Sequence, residues 1–146
     1  MSFYADSSFL VSLYIKDGHF PAAQECVAAN PDLCLTPLQF AEWTHAVEQH
    51  VLRGEVARSE ADRLHQRFSA DLIAGFWRQV AVPESAFAHC AELGRRFAAR
   101  LATRTLDSLH VAIAFALNAD AFWSFDERQN RLAQAVGFRT LADFPR

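Results

Sequence analysis

The sequence predicts an α/β fold, a three-layer α/β/α sandwich around a short, mainly parallel central sheet. Three observations carry that expectation. Short apolar runs alternate with helix-patterned stretches along all 146 residues. No repeat, linker or low-complexity segment interrupts them, so 1–146 reads as one domain. One helical stretch, TLDSLHVAIAFALNAD, is apolar nearly all round and therefore needs cover on most of its sides.

Taken in order, SFYAD (2–6) reads as a strand that stops on an acid. SSFLVSLYI then places Phe9, Leu10, Leu13 and Tyr14 at helical spacing, and KDGH breaks that helix. Pro21 opens a second helix to about residue 29, since a first-turn residue loses nothing by lacking an N–H. Asn30-Pro31-Asp32 marks a turn and LCLT a brief strand. Thr36 caps, and Pro37 starts, the helix PLQFAEWTHAVEQHVL, which ends at Arg53-Gly54. A helix over 58–74 presents Ala61, Leu64, Phe68, Leu72 and Ile73 on one side, followed by the aromatics Phe76 and Trp77. WRQVAVP reads as a third strand stopped by Pro83, and a helix from Ser85 to about residue 100 follows. After the apolar helix come the strand AFWSF, a helix ended by Gly137, and a last strand near 138–141.

Composition narrows the function class. Apolar residues at 51% and charged residues at 21% are an ordinary globular balance, and a net charge of −3 argues against a general polyanion-binding surface. Of 14 cationic residues only Lys16 is lysine. Guanidinium groups suit bidentate phosphate contacts, although a GC-rich genome produces the same bias. Cys26, Cys34 and Cys90 fall in no zinc or redox spacing, which fits reduced thiols in a cytoplasmic protein. MSFYADSS lacks the layout of a signal peptide, and no apolar run approaches the about 20 residues of a membrane span.

Four acids hold the chemical interest. Asp6 and Asp126 stand where strands end and helices begin; either is a good N-cap, and either lies where open parallel sheets take ligands. Asp107 sits one turn into the apolar helix among Leu106, Leu109 and Val111, where an ionised carboxylate needs a partner such as Arg104 or the helix dipole. Glu42 shares a helix face with Leu38 and Ala46, and local pattern leaves open whether that face is wet. If the four converge, charges about 4 Å apart repel by about 4 kcal/mol at an effective dielectric near 20. Such a cluster persists only when protons or a cation neutralise it. An oxygen-only set selects a hard ion such as Mg²⁺ or Mn²⁺, and that points to metal-dependent phosphodiester cleavage.

YADSSFLVSLYI, LTPLQFAEW and TRTLDSLHVAIAFALNADAFWSFDERQNRLAQAVGF, in that order and spacing, resemble a PIN domain, in particular a VapC-type toxin of bacterial toxin–antitoxin pairs. The likeness covers essentially the whole chain and is most specific at Asp107-Ser108-Leu109-His110 and at 124–129. It implies a Mg²⁺-dependent ribonuclease, with Mn²⁺ as a possible substitute, that cuts single-stranded regions of RNA. By that resemblance Asp6 and Asp107 hold the main metal, and Glu42 and Asp126 complete the acidic pocket. Ser124 and Ser7 supply supporting hydroxyls, while Arg104 and Arg128 contact phosphate or pair with the acids. His110 reads as a hydrogen-bonded core residue outside the catalytic set. The resemblance further implies a small antitoxin partner and a homodimer; the 58–74 helix and its aromatics serve that contact or the core. Two other readings stand beside it, an RNA-processing nuclease with the same chemistry and a non-catalytic PIN-like interaction module. A haloacid-dehalogenase phosphatase or a response-regulator receiver fits poorly, since Asp6 is followed by Ser7-Ser8 and no lysine lies in the C-terminal half.

Overall fold

Alternation along the strands assigns the two faces of the sheet. In β1 (Ser2–Ala5), Phe3 and Ala5 turn to one side and Tyr4 to the other. Its neighbours β2 (Asp32–Leu35) and β4 (Ala121–Trp123) repeat the pattern, so Leu33, Leu35, Ala121 and Trp123 share one face while Cys34 and Phe122 share its opposite. The computed structural model describes residues 1–29 and 31–144, and its sheet runs β3-β2-β1-β4, with β3 at Arg78–Gln79. All three pairings are parallel, with Tyr4 opposite Cys34 on one flank and Phe122 on the other. The predicted α/β/α sandwich is what forms.

Helices α1 (Ser7–Tyr14), α2 (Phe20–Ala28), α3 (Pro37–Leu52) and α4 (Arg58–Ile73) cover the Phe3 and Trp123 face. On the Tyr4 and Phe122 face lie α5 (Ser85–Leu101), α6 (Thr105–Ala116) and α7 (Glu127–Ala135). Helix α5 buries Ala86, Cys90, Leu93 and Phe97, one stripe at helical period. In α6 every residue over 107–114 is buried, as its all-round apolarity predicts. Burying each large apolar side chain of these layers is worth about 1.5–3 kcal/mol relative to exposure. Thr36 caps α3 reciprocally: its backbone N–H donates to Gln39 Oε1 at 2.7 Å, and its hydroxyl accepts from the Gln39 N–H.

Three expectations are corrected. The third strand shortens to Arg78–Gln79, both exposed at the sheet edge, where Arg78 clamps Asp32 through two bonds of 2.8 and 3.1 Å. The expected strand at 138–141 is a single bridge between Ala121 and Arg139, followed by a 3₁₀ turn at Leu141–Asp143. The Thr140 N–H donates to Asp143 Oδ2 at 2.7 Å, which closes that turn and ends strand pairing. Ile73 is 89% exposed rather than packed with Ala61 and Phe68, because α4 ends there and Gly75, at φ +75°, turns the chain away. Phe68 and Trp77 belong to the core. Among the described residues, no helix is long and apolar enough to cross a membrane.

Candidate active site

The strand order reverses at β1, with β2 and β3 on one side and β4 on the other. Ligands of open α/β sheets sit at the carboxyl ends of the strands at such a point. There Asp6 follows β1 directly and Ser124 follows β4, and the Asp6 N–H donates to the Trp123 carbonyl at 2.9 Å.

Asp6 is 1% exposed, caps α1 and has both oxygens hydrogen-bonded. Its Oδ1 accepts from Ser8 Oγ at 2.6 Å and from the Phe9 N–H at 3.0 Å, and its Oδ2 accepts from Ser124 Oγ at 2.6 Å. Burial pushes its carboxyl above the usual range, against the lowering effect of the Ser124 and Ser8 bonds. The mutual repulsion expected among the acids is therefore not what governs Asp6; desolvation is. Ser124 Oγ also accepts from the Asp126 N–H at 2.9 Å, and Ser8 Oγ accepts from the Phe125 N–H at 3.0 Å, which stitches the two strand exits together.

Asp126 caps α7, its Oδ1 accepting from the Arg128 and Gln129 N–H groups at 2.8 and 3.1 Å. Asp107, 4% exposed, accepts the Arg104 N–H at 2.7 Å and so helps to start α6. Two guanidinium groups face the same oxygen, Arg104 Nε at 3.6 Å and Arg128 Nη1 at 4.0 Å. Glu42 is half-buried on α3, where its Oε2 meets His110 Nε2 at 2.5 Å, and His110 Nδ1 meets the Tyr4 hydroxyl at 2.8 Å. Burial pushes the Glu42 carboxyl up, but the hydrogen bond and attraction of His110, with help from Ser7, outweigh it and hold it below its ordinary value.

Asp6, Ser7, Glu42, Arg104, Asp107 and Asp126 all line one pocket of about 380 Å³. Ser124 supports Asp6 from beneath, and Arg128 reaches Asp107 without lining the pocket. Sharing a pocket is not sharing a point: among the described residues, no three His, Cys, Asp or Glu side chains are grouped to hold a metal ion. Each acid is turned into a bond near its own helix start or, for Glu42, toward His110. A larger apolar cavity of about 700 Å³, walled by Phe3, Trp123, Phe125 and Phe144, contains none of the four acids.

His110, Ser8 and Gln129 line the same pocket but stood outside the site expected from the sequence. His110 is buried and hydrogen-bonded as expected, yet its partner is Glu42, and the three-residue step from Asp107 on one helix face is the signal that pointed there. Ser8 carried no mark of its own. Gln129 lines the pocket at 5% exposure, and its Oε1 is buried with no hydrogen-bond partner among the described residues.

Compared with known proteins, residues 3–135 match the PIN domain family. No curated protein matches the chain by sequence. Among solved structures it is similar to VapC20 of Mycobacterium tuberculosis, a sarcin–ricin loop cleaving toxin, with a TM-score of 0.72, 16% identity and 99% of each chain covered. It is also similar to VapBC2 of Rickettsia felis bound to a DNA fragment from their promoter, with a TM-score of 0.66, 13% identity, and 96% of this chain and 98% of that one covered. FitAcB of Neisseria gonorrhoeae gives a TM-score of 0.66 at 14% identity over 94% and 95% of the two chains. At these identities the likeness is one of fold.

Proposed function

Because the chain belongs to the PIN domain family, we propose that it is a divalent-metal-dependent ribonuclease cutting single-stranded regions of RNA, and that it serves as the toxin of a type II toxin–antitoxin pair. The observation that carries this reading is the meeting of Asp6, Glu42, Asp107 and Asp126, from separate elements, in one pocket at the carboxyl end of the sheet.

The residues fit Mg²⁺ or Mn²⁺ in kind: the donors are all oxygen, and among the described residues the buried Asp6 carboxylate is held by hydroxyl and backbone donors rather than by an arginine or lysine. Asp6 and Asp107 would hold the ion, with Glu42 and Asp126 completing the pocket. When bound, a divalent cation makes water a nucleophile near neutral pH and steadies charge on the phosphodiester oxygens. The protein supplies the rest. Ser124 and Ser8 aim the Asp6 carboxylate, Ser7 lines the approach, and Arg104 and Arg128, both near Asp107, offer donors to the scissile phosphate. Water attack on phosphorus leaves a 5′-phosphate and a 3′-hydroxyl, with no covalent intermediate.

The toxin role is supported by likeness to VapC20, VapBC2 and FitAcB; a small antitoxin partner, a homodimer and cytoplasmic action belong to the same proposal. A PIN-fold interaction module is favoured by one observation, that every acid is already bonded without converging on a shared ion point. RNA cleavage by purified protein with Mn²⁺, abolished by EDTA and by Asp6→Asn, decides between them: cleavage supports the nuclease, while intact RNA across a broad pool supports the module. Growth arrest on expression, relieved by a co-expressed small partner, tests the toxin role.

A further inference from the structure

A glutamate in mid-helix has three side-chain torsions and nothing local to hold them, and Glu42 lies half-buried in the middle of α3. Beside a hydrogen bond from Ser7 of α1, what holds it comes from two other elements. The Tyr4 ring, fully buried on β1, stacks on Phe122 with centroids 5.6 Å apart and planes 18° apart, so the sheet itself fixes its direction. Its hydroxyl meets His110 Nδ1 at 2.8 Å, and His110, 1% exposed on α6, turns Nε2 to Glu42 at 2.5 Å. A carboxylate only accepts, so the Nε2 hydrogen is donated to Glu42; whenever the ring is neutral, Nδ1 is therefore bare and accepts the Tyr4 hydroxyl hydrogen.

We infer that Tyr4 and His110 are positioning residues, a buried relay of hydrogen bonds from the central strand that fixes one His110 tautomer and aims the Glu42 carboxylate into the acidic pocket. The inference rests on the proposed role of that pocket. The relay sits away from Asp6, whose carboxylate is oriented separately by Ser8 and Ser124. The two devices have different effects. Losing the hydroxyls beside Asp6 leaves a buried charge less satisfied, whereas losing His110 frees Glu42 to swing while leaving its charge near solvent. Partners that orient a ligating side chain typically matter by about 10–100-fold in metal affinity or activity.

The test uses the full chain with Mn²⁺ and single-stranded RNA. In the wild type, ¹⁵N-resolved imidazole resonances at pH 8 should show His110 with Nε2 protonated and Nδ1 bare. His110→Ala should weaken Mn²⁺ affinity by calorimetry, or lower kcat, by about 10–100-fold, with KM for RNA within about twofold. His110→Gln, whose amide Nε2–H donor falls near the imidazole Nε2, should recover part of that loss. Tyr4→Phe, which keeps the ring and removes only the hydroxyl, should cost about 5-fold, as for one buried hydrogen bond. A proton on Nδ1 with a bare Nε2 overturns the relay. So does a folded His110→Ala with wild-type kcat and Mn²⁺ affinity, or a His110→Gln no better than the alanine variant. Should His110→Ala fail to fold, the glutamine variant and the wild-type resonances still decide. If the wild type binds Mn²⁺ but cuts no RNA, the nuclease proposal falls, and the tautomer and Mn²⁺ affinities judge the relay independently.

Discussion

The Ser124 hydroxyl donates to Asp6 Oδ2 at 2.6 Å across 118 residues of sequence, joining the carboxyl ends of β4 and β1 inside the protein. A hydrogen bond to a buried charged group is worth about 1.5–3 kcal/mol. Ser124→Ala should therefore lower stability by about that amount at pH 8, measured by denaturant unfolding in EDTA. The loss should shrink at acid pH, where Asp6 is protonated and needs the donor less. A penalty equal at both pH values would mean that the bond does not serve the ionised carboxylate.

Asp6 itself should trade stability against function. Its native carboxyl is raised by burial, so between the ordinary carboxylate value near 4 and its own native value the folded protein holds a proton that the unfolded chain has released. Stability of the metal-free protein accordingly falls as pH rises through that window. Asp6→Asn removes the charge and should raise the neutral-pH melting temperature in EDTA, flatten that part of the pH profile, and abolish RNA cleavage. A lower melting temperature for the variant would show that the ionised carboxylate is net stabilising.

Metal addition gives the converse. A ligand at a hundredfold excess over its Kd stabilises the native state by about 2.7 kcal/mol. Mn²⁺ should raise the wild-type melting temperature and leave Asp6→Asn and Asp107→Asn nearly unmoved. Equal shifts in all three proteins would place the ion elsewhere.

Why some of this was readable in the sequence, and some not, follows from where each residue's constraint arises. Asp6, Asp107 and Asp126 mark strand exits or helix starts, and those boundaries are written in local pattern and capping preference. Glu42 has no such mark: helix spacing put it on a face with Leu38 and Ala46 and left open whether that face is wet, while its tie to His110 spans 68 residues and exists only after α3 and α6 pack. The alternating runs likewise gave the layers, because burial on both faces of a parallel sheet demands them. The strand at 138–141 failed for a local reason, since Thr140 pairs with Asp143 and curls the chain into a turn instead.

Arg104 and Arg128 approach Asp107 at 3.6 and 4.0 Å, and their side chains remain 73% and 41% exposed. Pairs this open contribute little to stability, about 0–1 kcal/mol. Substituting either by alanine should leave the melting temperature nearly unchanged while raising KM for RNA. The salt dependence of single-strand binding should fall by about 0.7 in log–log slope for each phosphate that the variant no longer neutralises. Arg104→Lys should restore charge but not a bidentate grip, and so recover only part of the affinity. Unchanged salt slopes in both alanine variants would remove these arginines from the RNA surface.

Gln129 separates a structural from a functional reason for polarity. Its Oε1 is buried with no hydrogen-bond partner among the described residues, and such a group costs the folded protein about 1–3 kcal/mol. The cap bond to Asp126 uses its backbone N–H and survives any side-chain change. Gln129→Leu keeps the volume and removes the orphan oxygen, so it should stabilise the metal-free protein by roughly that amount, read from the denaturant midpoint at constant m-value. If the side chain turns that oxygen into the pocket when RNA or the ion binds, the same variant should also lower kcat/KM by about tenfold, the low end of what an orienting partner contributes. Greater stability with undiminished cleavage would show that the amide serves neither, while lower stability would show that its oxygen is satisfied in solution.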